Sequence, residues 1–366
     1  MSFFNFGKKS KIGIDIGTAS VKIAQLAKES GRFKLENYGL FELEAIESAL
    51  SMPGQAGVNP ADYQLDQHLA WGIKETLRKS KITAKDVVAS IPSFNTFSTV
   101  IKMPYLSEQD IAKTIPYEAR KYIPIPLDQV VLDWSIIDVA PPGAGQILAQ
   151  PPVVDKPPTV DVYIVAVPRD ETSRYQNIMK QAGLNLKALE LENSALIRAL
   201  VGNDQSSIAI INIGGRSTSI LIVEKGFERV SHNYEVGGFE ISKAIARALN
   251  VSLKRAEELK RGGSRGENSE MIAAAMSSLV DLIVFETQKT IHNYEDLKKT
   301  KIAKVILIGG LANMPKFVEY FTGKLGLAVS LGNPLARIVY PPTLEKLKTE
   351  LNSTFAIALG LAMREF

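Results

Sequence analysis

A strand–glycine turn–strand pattern occurs once in each half of the 366-residue chain. In both copies, β-branched residues flank a glycine-containing turn, and a second turn leads into a third strand. The copies are Ile14–Ile23 followed by Phe33–Leu43, and Ile211–Ile220 followed by Phe227–Val236. Repetition at this large spacing predicts two related halves rather than a short-period solenoid.

Helical and strand patterns alternate after each copy. Tyr175, Ile178 and Met179, for example, share one face of a predicted helix that ends before Gly183. Such alternation predicts an α/β fold. The predicted helices are Asp170–Gln181, Gly238–Leu249, Ser252–Arg261, Glu267–Lys298 and one with Pro315 in its first turn, and the predicted core strands are Val87–Ile91 and Val305–Ile308.

The sequence pattern of residues 94–159 predicts a small subdomain inserted into the first half. Strands at Phe97–Met103 and Val130–Ile137 flank a helix from about Glu108 to Tyr122. The run Ala140–Pro158 is too rich in proline and glycine for regular structure and predicts a long loop before a strand at Val160–Val167. We therefore divide the chain into a first half (1–93 and 160–205), the insert (94–159) and a second half (206–366), whose smaller subdomain spans about 227–300.

Composition excludes several classes of protein. Hydrophobic residues make up 45% of the chain, and no apolar run reaches the roughly 18 residues of a membrane-spanning helix. The net charge of +4 is mild and basic residues are mixed with acidic ones, so we expect no nucleic-acid partner. There is no cysteine, and the three histidines lie far apart, which argues against a zinc site. The N-terminus lacks a signal-peptide pattern, so we expect a cytoplasmic protein.

The first glycine turn has the chemistry of a phosphate-binding loop. Gly17, Thr18, Ala19 and Ser20 form a tight turn whose backbone N–H groups can point at phosphate oxygens. Asp15 precedes the turn and can hold a metal ion through water, and Lys22 follows it within reach of a phosphate. Taken alone, this short motif is equally typical of an ordinary hairpin turn.

Three further motifs favour a nucleotide site. A second glycine turn with hydroxyl groups, in the second half, would clamp a polyphosphate from the other side. A strand that ends in two glycines lets its backbone approach a base or ribose. Spacing of three places Glu257 and Lys260 on one helix face, where they either grip a base and ribose or form a surface ion pair. The second turn contains Gly214, Gly215, Ser217 and Thr218, and the strand and its glycines lie in Val305–Ala312.

The order of these motifs resembles the actin superfamily, which includes chaperone ATPases, sugar kinases and the division protein FtsA. More closely, the chain resembles the PilM family. Its most specific segment is Glu118–Val130, which is similar to the E-x-x-x-Y-I-P-x-P motif of that family. Further similar segments are Val236–Ile241, Leu307–Pro315, Asn333–Pro334 and Phe355–Arg364. The resemblance implies an actin-like ATPase fold of two halves with an inserted subdomain of the FtsA type.

The resemblance also assigns roles to residues at a site for ATP or ADP with Mg²⁺. Glu192 matches the position that orients the attacking water in relatives. Asn212 stands where many relatives have Asp, which implies at most a slow ATPase. The matching nucleotide-site residues are Asp15, Gly17, Thr18, Ala19, Ser20 and Lys22 at the first turn, Asn212, Gly214, Gly215, Ser217 and Thr218 at the second, Gly237 and Gly238 along the cleft, and Glu257, Lys260, Gly309, Gly310 and Leu311 at the adenosine.

A partner-peptide groove is predicted between the core of the first half and the insert. The prolines in Tyr122–Pro126 end the preceding helix and hold an extended apolar segment. By resemblance, this groove binds the cytoplasmic tail of a PilN-like membrane protein. The alternative is that the same side chains form the core of the insert. The groove residues are Phe94, Phe97, Tyr122, Ile123 and Ile125.

The resemblance finally implies a scaffold of the type IV pilus machinery, held at the cytoplasmic face of the inner membrane through its partners. It would link the membrane complex to a motor ATPase or platform protein, and self-association stays open. Two other functions compete with this one. They are an FtsA-like membrane-associated filament protein and a small-molecule kinase, for which the sequence offers no convincing general base.

Overall fold

The structure is a computed structural model that describes residues 10–43, 60–140, 159–262 and 269–365. The predicted loop at Ala140–Pro158, apart from its first residue, lies outside the described residues, as does the predicted helix start at Glu267. Within the described ranges, no helix combines the length and apolar character needed to cross a membrane.

The described residues form three sheets with helices packed around them. The strands are β1 (Ser10–Ile16), β2 (Ser20–Glu29), β3 (Arg32–Glu42), β4 (Asp86–Ile91), β5 (Phe97–Pro104), β6 (Val130–Ala140), β7 (Thr159–Pro168), β8 (Asn185–Leu191), β9 (Ile208–Ile213), β10 (Thr218–Glu224), β11 (Phe227–Tyr234), β12 (Lys304–Ile308), β13 (Val329–Leu331) and β14 (Ile338–Val339). The helices are α1 (Pro60–Lys79), α2 (Glu108–Ala119), α3 (Arg169–Gln181), α4 (Glu192–Leu200), α5 (Gly238–Leu249), α6 (Leu253–Gly262), α7 (Ser269–Lys298), α8 (Phe317–Leu325), α9 (Lys348–Thr354) and α10 (Ala356–Ala362).

The two larger sheets repeat one strand order. The first runs β14-β3-β2-β1-β4-β8 and the second β11-β10-β9-β12-β13. In each sheet the first three consecutive strands pair antiparallel, and the next strand joins in parallel. Both sheets bury isoleucine-rich strands, as parallel sheets covered on both faces do. The duplicated sequence pattern therefore corresponds to two related halves.

Helix α10 packs against the first sheet, although its residues follow the second half in sequence. A Cβ added at Gly13 of β1 would lie 2.0 Å from the carbonyl oxygen of Ala358, and one at Gly360 would lie 2.0 Å from that of Ala195 in α4. Both glycines are therefore required by close backbone packing. Because β14 also pairs with β3, the predicted second half of 206–366 is wrong at its C-terminal end.

The insert forms its own three-stranded sheet, in the order β5-β7-β6, with α2 packed on it. The predicted boundary at 159/160 is wrong, because β7 pairs along its length with both β5 and β6 and so belongs to the insert. Helix α2 ends at Ala119, three residues earlier than predicted. Pro315 precedes α8 by two residues instead of lying in its first turn, because Lys316 adopts a left-handed conformation at the N-cap.

Candidate functional site

The two glycine turns have the same backbone geometry and face each other. Gly17 N–H donates to the Ser20 carbonyl at 3.1 Å, and Gly214 N–H donates to the Ser217 carbonyl at 2.9 Å. A Cβ added at Gly215 would lie 2.9 Å from Thr18 Oγ1 and 3.0 Å from the Cβ of Ala19. The duplicated hairpins therefore bring their turns together at the junction of the two halves.

A lysine and a buried carboxylate flank the first turn. Asp15 is 4% exposed, and its Oδ2 lies 3.7 Å from Lys22 Nζ. Its Oδ1 accepts a hydrogen bond from Ser90 Oγ at 3.0 Å. Lys22 reaches back over the turn, since its Nζ would lie 3.1 Å from a Cβ at Gly17. The ammonium group is thus held beside a loop of backbone donors, an arrangement that suits an anion.

Glu192 begins α4 and lies close to Asp15. Its Oε1 accepts a hydrogen bond from the backbone N–H of Ser93 at 3.1 Å. Burial, and then the negative charge of Asp15, raise the pKa of Glu192 to about 7. With this pKa, the Glu192 carboxyl can accept or release a proton at neutral pH.

Asn212 is buried near the end of β9. It pairs with Ser219 of β10, the strand that follows the second turn.

The second turn is tied to the start of α5. Gly238 N–H donates to the Gly214 carbonyl at 2.9 Å, and Phe239 N–H donates to the Gly215 carbonyl at 2.7 Å. A Cβ at Gly237 would lie 2.7 Å from the carbonyl carbon of Arg216, so this position also requires close backbone approach. The hydroxyl of Thr218 donates to the Val236 carbonyl at 2.7 Å, so it ties the start of β10 to the segment that precedes α5.

Glu257 and Lys260 form part of an internal network, so they are not the surface ion pair that the sequence left open. Lys260 is 7% exposed. Its Nζ donates to Glu257 Oε2 at 2.6 Å, to Ser242 Oγ at 2.8 Å and to the Gly238 carbonyl at 2.9 Å. Burial lowers the pKa of Lys260. The pair therefore fixes α6 against the start of α5, next to the second turn.

Gly309, Gly310 and Leu311 have three different environments. Gly309 has φ of 100°, and a Cβ there would lie 2.1 Å from the carbonyl oxygen of Ile213, so its close approach is to protein backbone. Gly310 is exposed, and a Cβ there would meet no atom within 4 Å. The Leu311 side chain is buried in the core of the second half. Gly310 is thus the position of the three that borders open space.

These residues fit a nucleotide with magnesium by their chemistry. Backbone donors and Lys22 suit phosphate oxygens, and the open backbone at Gly310 leaves room for a flat group. Across the described ranges, no cluster of three or more His, Cys, Asp or Glu side chains is arranged to hold a metal ion. Magnesium is nevertheless commonly held by one or two carboxylates, waters and substrate phosphates, and Asp15 offers such a carboxylate.

A surface cavity of about 450 Å³ lies on the insert. Of the predicted groove residues, Ile123 and Ile125 line it, and both also pack on the core of the insert. Phe97 packs against that core, whereas Phe94 and Tyr122 are about half exposed. The lining residues are Arg120, Ile123, Pro124, Ile125, Pro126, Leu127 and Asp128. We name this cavity the insert groove.

The insert groove adjoins the first half. Arg169, the first residue of α3, donates from Nε to the Asp128 carbonyl at 2.9 Å. Arg120 and Asp128 place opposite charges at its wall, and the sequence interpretation missed both because neither belongs to an apolar run.

The sequence interpretation also missed two serines of the candidate nucleotide site. Ser90 donates a hydrogen bond to Asp15, and Ser242 accepts one from Lys260. Both contacts join residues that are distant in sequence, so no local pattern indicates them.

Two related sheets, paired glycine turns between them and an inserted subdomain define a protein of the actin-like ATPase fold. The model of the family described as type IV pilus assembly protein PilM matches residues 13–366. The chain belongs to that family.

Solved structures and curated proteins agree with this class. A structure described as a PilM–PilN type IV pilus biogenesis complex is 22% identical, with a TM-score of 0.78 over 97% of this chain and 98% of that chain. The ethanolamine utilization protein EutJ of Carboxydothermus hydrogenoformans is 17% identical, with a TM-score of 0.58 over 98% of this chain and 90% of its own.

Curated relatives include the cell division protein FtsA. The protein of Neisseria meningitidis serogroup B is 25% identical over 67% of this chain, and the match spans 65% of its own length. The FtsA of Pseudomonas aeruginosa is 22% identical over 89% of this chain and 83% of its own length.

Proposed function

We propose that this chain is a nucleotide-loaded scaffold of the type IV pilus assembly machinery. The observation that carries the proposal is the direct juxtaposition of the two glycine turns, with Lys22 beside the first and the network of Lys260 beside the second. In this proposal the turns and Lys22 would hold the phosphates of ATP or ADP, and Asp15 would hold Mg²⁺ through water, where the ion would neutralise phosphate charge. Bound nucleotide stabilises the folded arrangement of both halves.

Turnover at this site is proposed to be slow. Asn212 supplies an amide where a carboxylate would add the negative charge that helps to hold a metal ion and to activate water. Glu192 is the carboxyl that would orient the water, and its pKa of about 7 suits proton exchange at neutral pH. The proposal of slow turnover therefore rests on Asn212, and in it the nucleotide acts mainly as a structural ligand.

The partner is proposed to be the cytoplasmic tail of a PilN-like membrane protein, bound in the insert groove. Two things support this: the chain has the fold of the PilM in the PilM–PilN complex, and the groove has a rigid proline-bounded wall. An extended peptide loses less conformational entropy on a preorganised surface. Binding of this tail would place the chain at the cytoplasmic face of the inner membrane and connect it to a motor or platform protein.

The nucleotide proposal is tested on the purified protein. We expect mass spectrometry to identify ATP or ADP that co-purifies with it, and turnover well below the roughly 10 per second of a typical enzyme. A Cβ at Gly310 meets no protein atom within 4 Å, so the variant Gly310→Val should fold but lose the nucleotide. Absence of nucleotide binding by folded wild type, or turnover near the typical rate, would overturn the proposal.

A further inference from the structure

An ion pair joins the first half to α6 of the second half. Glu42 is at the end of β3, opposite Ser20 of the first turn, and the next residue, Leu43, donates its N–H to the Ala19 carbonyl at 3.0 Å. Arg261 Nη1 donates to Glu42 Oε1 at 2.8 Å. The pair therefore connects the strand that supports the first turn with the helix that carries Glu257 and Lys260.

The guanidinium of Arg261 bridges two carboxylates. Its Nε donates to Glu257 Oε1 at 3.1 Å, while the other oxygen of Glu257 accepts from Lys260. The hydrogen bond that Arg261 donates to Glu42 is the main cause of the raised pKa of Arg261. Arg261 thus fixes the orientation of Glu257 as well as the position of α6 relative to the first half.

These contacts complete a closed ring around the candidate cleft. From Lys260 the ring continues to the Gly238 carbonyl, and Gly238 N–H donates to the carbonyl of Gly214 in the second turn. The second turn contacts the first through Gly215 and Thr18, which closes the ring. The Arg261–Glu42 pair is its most exposed link, with side chains 63% and 56% exposed.

We propose that Arg261 and Glu42 form a clasp that controls nucleotide release from the cleft. The inference rests on the proposed function, because it requires a nucleotide inside the ring. Opening the ring within the second half would break buried contacts of Lys260 or the backbone bond from Gly238 to Gly214. The contact between Thr18 and Gly215 joins the two phosphate-binding turns themselves, so it holds the halves together at the base of the site. Separating two exposed side chains costs less, so this link opens first and Arg261 acts as a positioning residue of the site.

The test measures the dissociation rate of a fluorescent ATP analogue, carrying a methylanthraniloyl group on the ribose, by stopped-flow displacement. Arg261→Ala and Glu42→Gln should each release the analogue roughly two- to fivefold faster at low salt, the range for an exposed ion pair. The difference should shrink at high salt, because exposed charges are screened. The charge-swapped pair Glu42→Arg with Arg261→Glu should regain part of the slow release.

Arg255→Ala is the matched control. Arg255 Nη1 pairs with Glu258 Oε2 at 2.8 Å on the same helix, with similar exposure, but the pair does not cross the cleft. Its release rate should equal that of wild type. If Arg261→Ala accelerates release and Glu42→Gln does not, the effect arises from Glu257 alone and the clasp is wrong. Equal rates in all variants also overturn it, whereas failure of wild type to bind the analogue overturns the proposed function as well.

Discussion

Asp15 and Glu192 are neighbouring carboxyl groups in different environments. Asp15 has a lysine and a serine hydroxyl as partners, so its charge is compensated. Glu192 has a backbone N–H as its partner and faces the negative charge of Asp15. Of the two, Glu192 is therefore the carboxyl able to exchange a proton at neutral pH.

Glu192→Gln tests this environment through the pH dependence of stability. The pKa of Glu192 is about 7 in the folded chain and about 4.3 when unfolded, so the folded state binds more protons between these values. Its contribution to stability is therefore present below about pH 4.3 and is lost as pH rises through 7. Between pH 5 and pH 8, the free energy of unfolding of the variant should therefore rise relative to that of wild type by on the order of 2 kcal/mol, as measured by urea unfolding.

The control for this measurement is Glu319→Gln, which removes an exposed carboxyl from the first turn of α8. It should keep the pH dependence of wild type. If the stability of Glu192→Gln depended on pH in the same way as that of wild type, the buried position of Glu192 beside Asp15 would be contradicted.

At the scale of elements, α10 joins parts of the chain that are distant in sequence. It lies against β1 and α4 at distances that only glycine allows, through Gly13 and Gly360. The helix is buried along its whole length, so it ties the C-terminal segment into the first half. Any side chain at these glycines must displace backbone atoms, because no flexible side chain is available to move away.

Gly360→Ala should accordingly destabilise the chain by about 3 kcal/mol or more, or prevent folding. Gly323→Ala is the matched control, because Gly323 lies inside α8 and a Cβ there meets no atom within 4 Å. This change should stabilise the protein by about 0.5–1 kcal/mol through the higher helix propensity of alanine. Thermal or urea unfolding of both variants decides the matter, and equal stability of the two would contradict the packing described for α10.

At the scale of the whole molecule, local patterns predicted the α/β fold, the two related halves and the existence of the insert. The glycine turns were recognisable because turn chemistry is local. Three features depended on distant partners instead: the pairing of β7 with β5 and β6, the packing of α10 on β1, and the Arg261–Glu42 contact across 219 positions of sequence. Nothing in the local residue pattern specifies such partners, so the domain boundaries and the ring around the cleft required the structure.

Gly309 and Gly310 show, within the site, the same contrast between what a local pattern predicts and what depends on distant partners. A pair of glycines after a strand predicts close approach of some group, but not which group approaches. The structure places the backbone of Ile213 against Gly309 and open space beside Gly310. Of these two glycines, Gly310 is therefore the one whose substitution tests nucleotide binding without disturbing the fold.

The proposed role as a scaffold depends on binding of the cytoplasmic tail of a PilN-like membrane protein in the insert groove. The most direct measurement is calorimetric titration of the purified protein with a synthetic peptide of that tail. Wild type should bind with roughly micromolar affinity, and Ile125→Ala and Leu127→Ala, which each remove an apolar side chain of the groove lining, should bind about tenfold more weakly. Tyr105→Ala, which removes an exposed tyrosine of the insert outside the groove lining, should bind like wild type. No binding by folded wild type would contradict the claim, and equal binding by all four proteins would contradict the location.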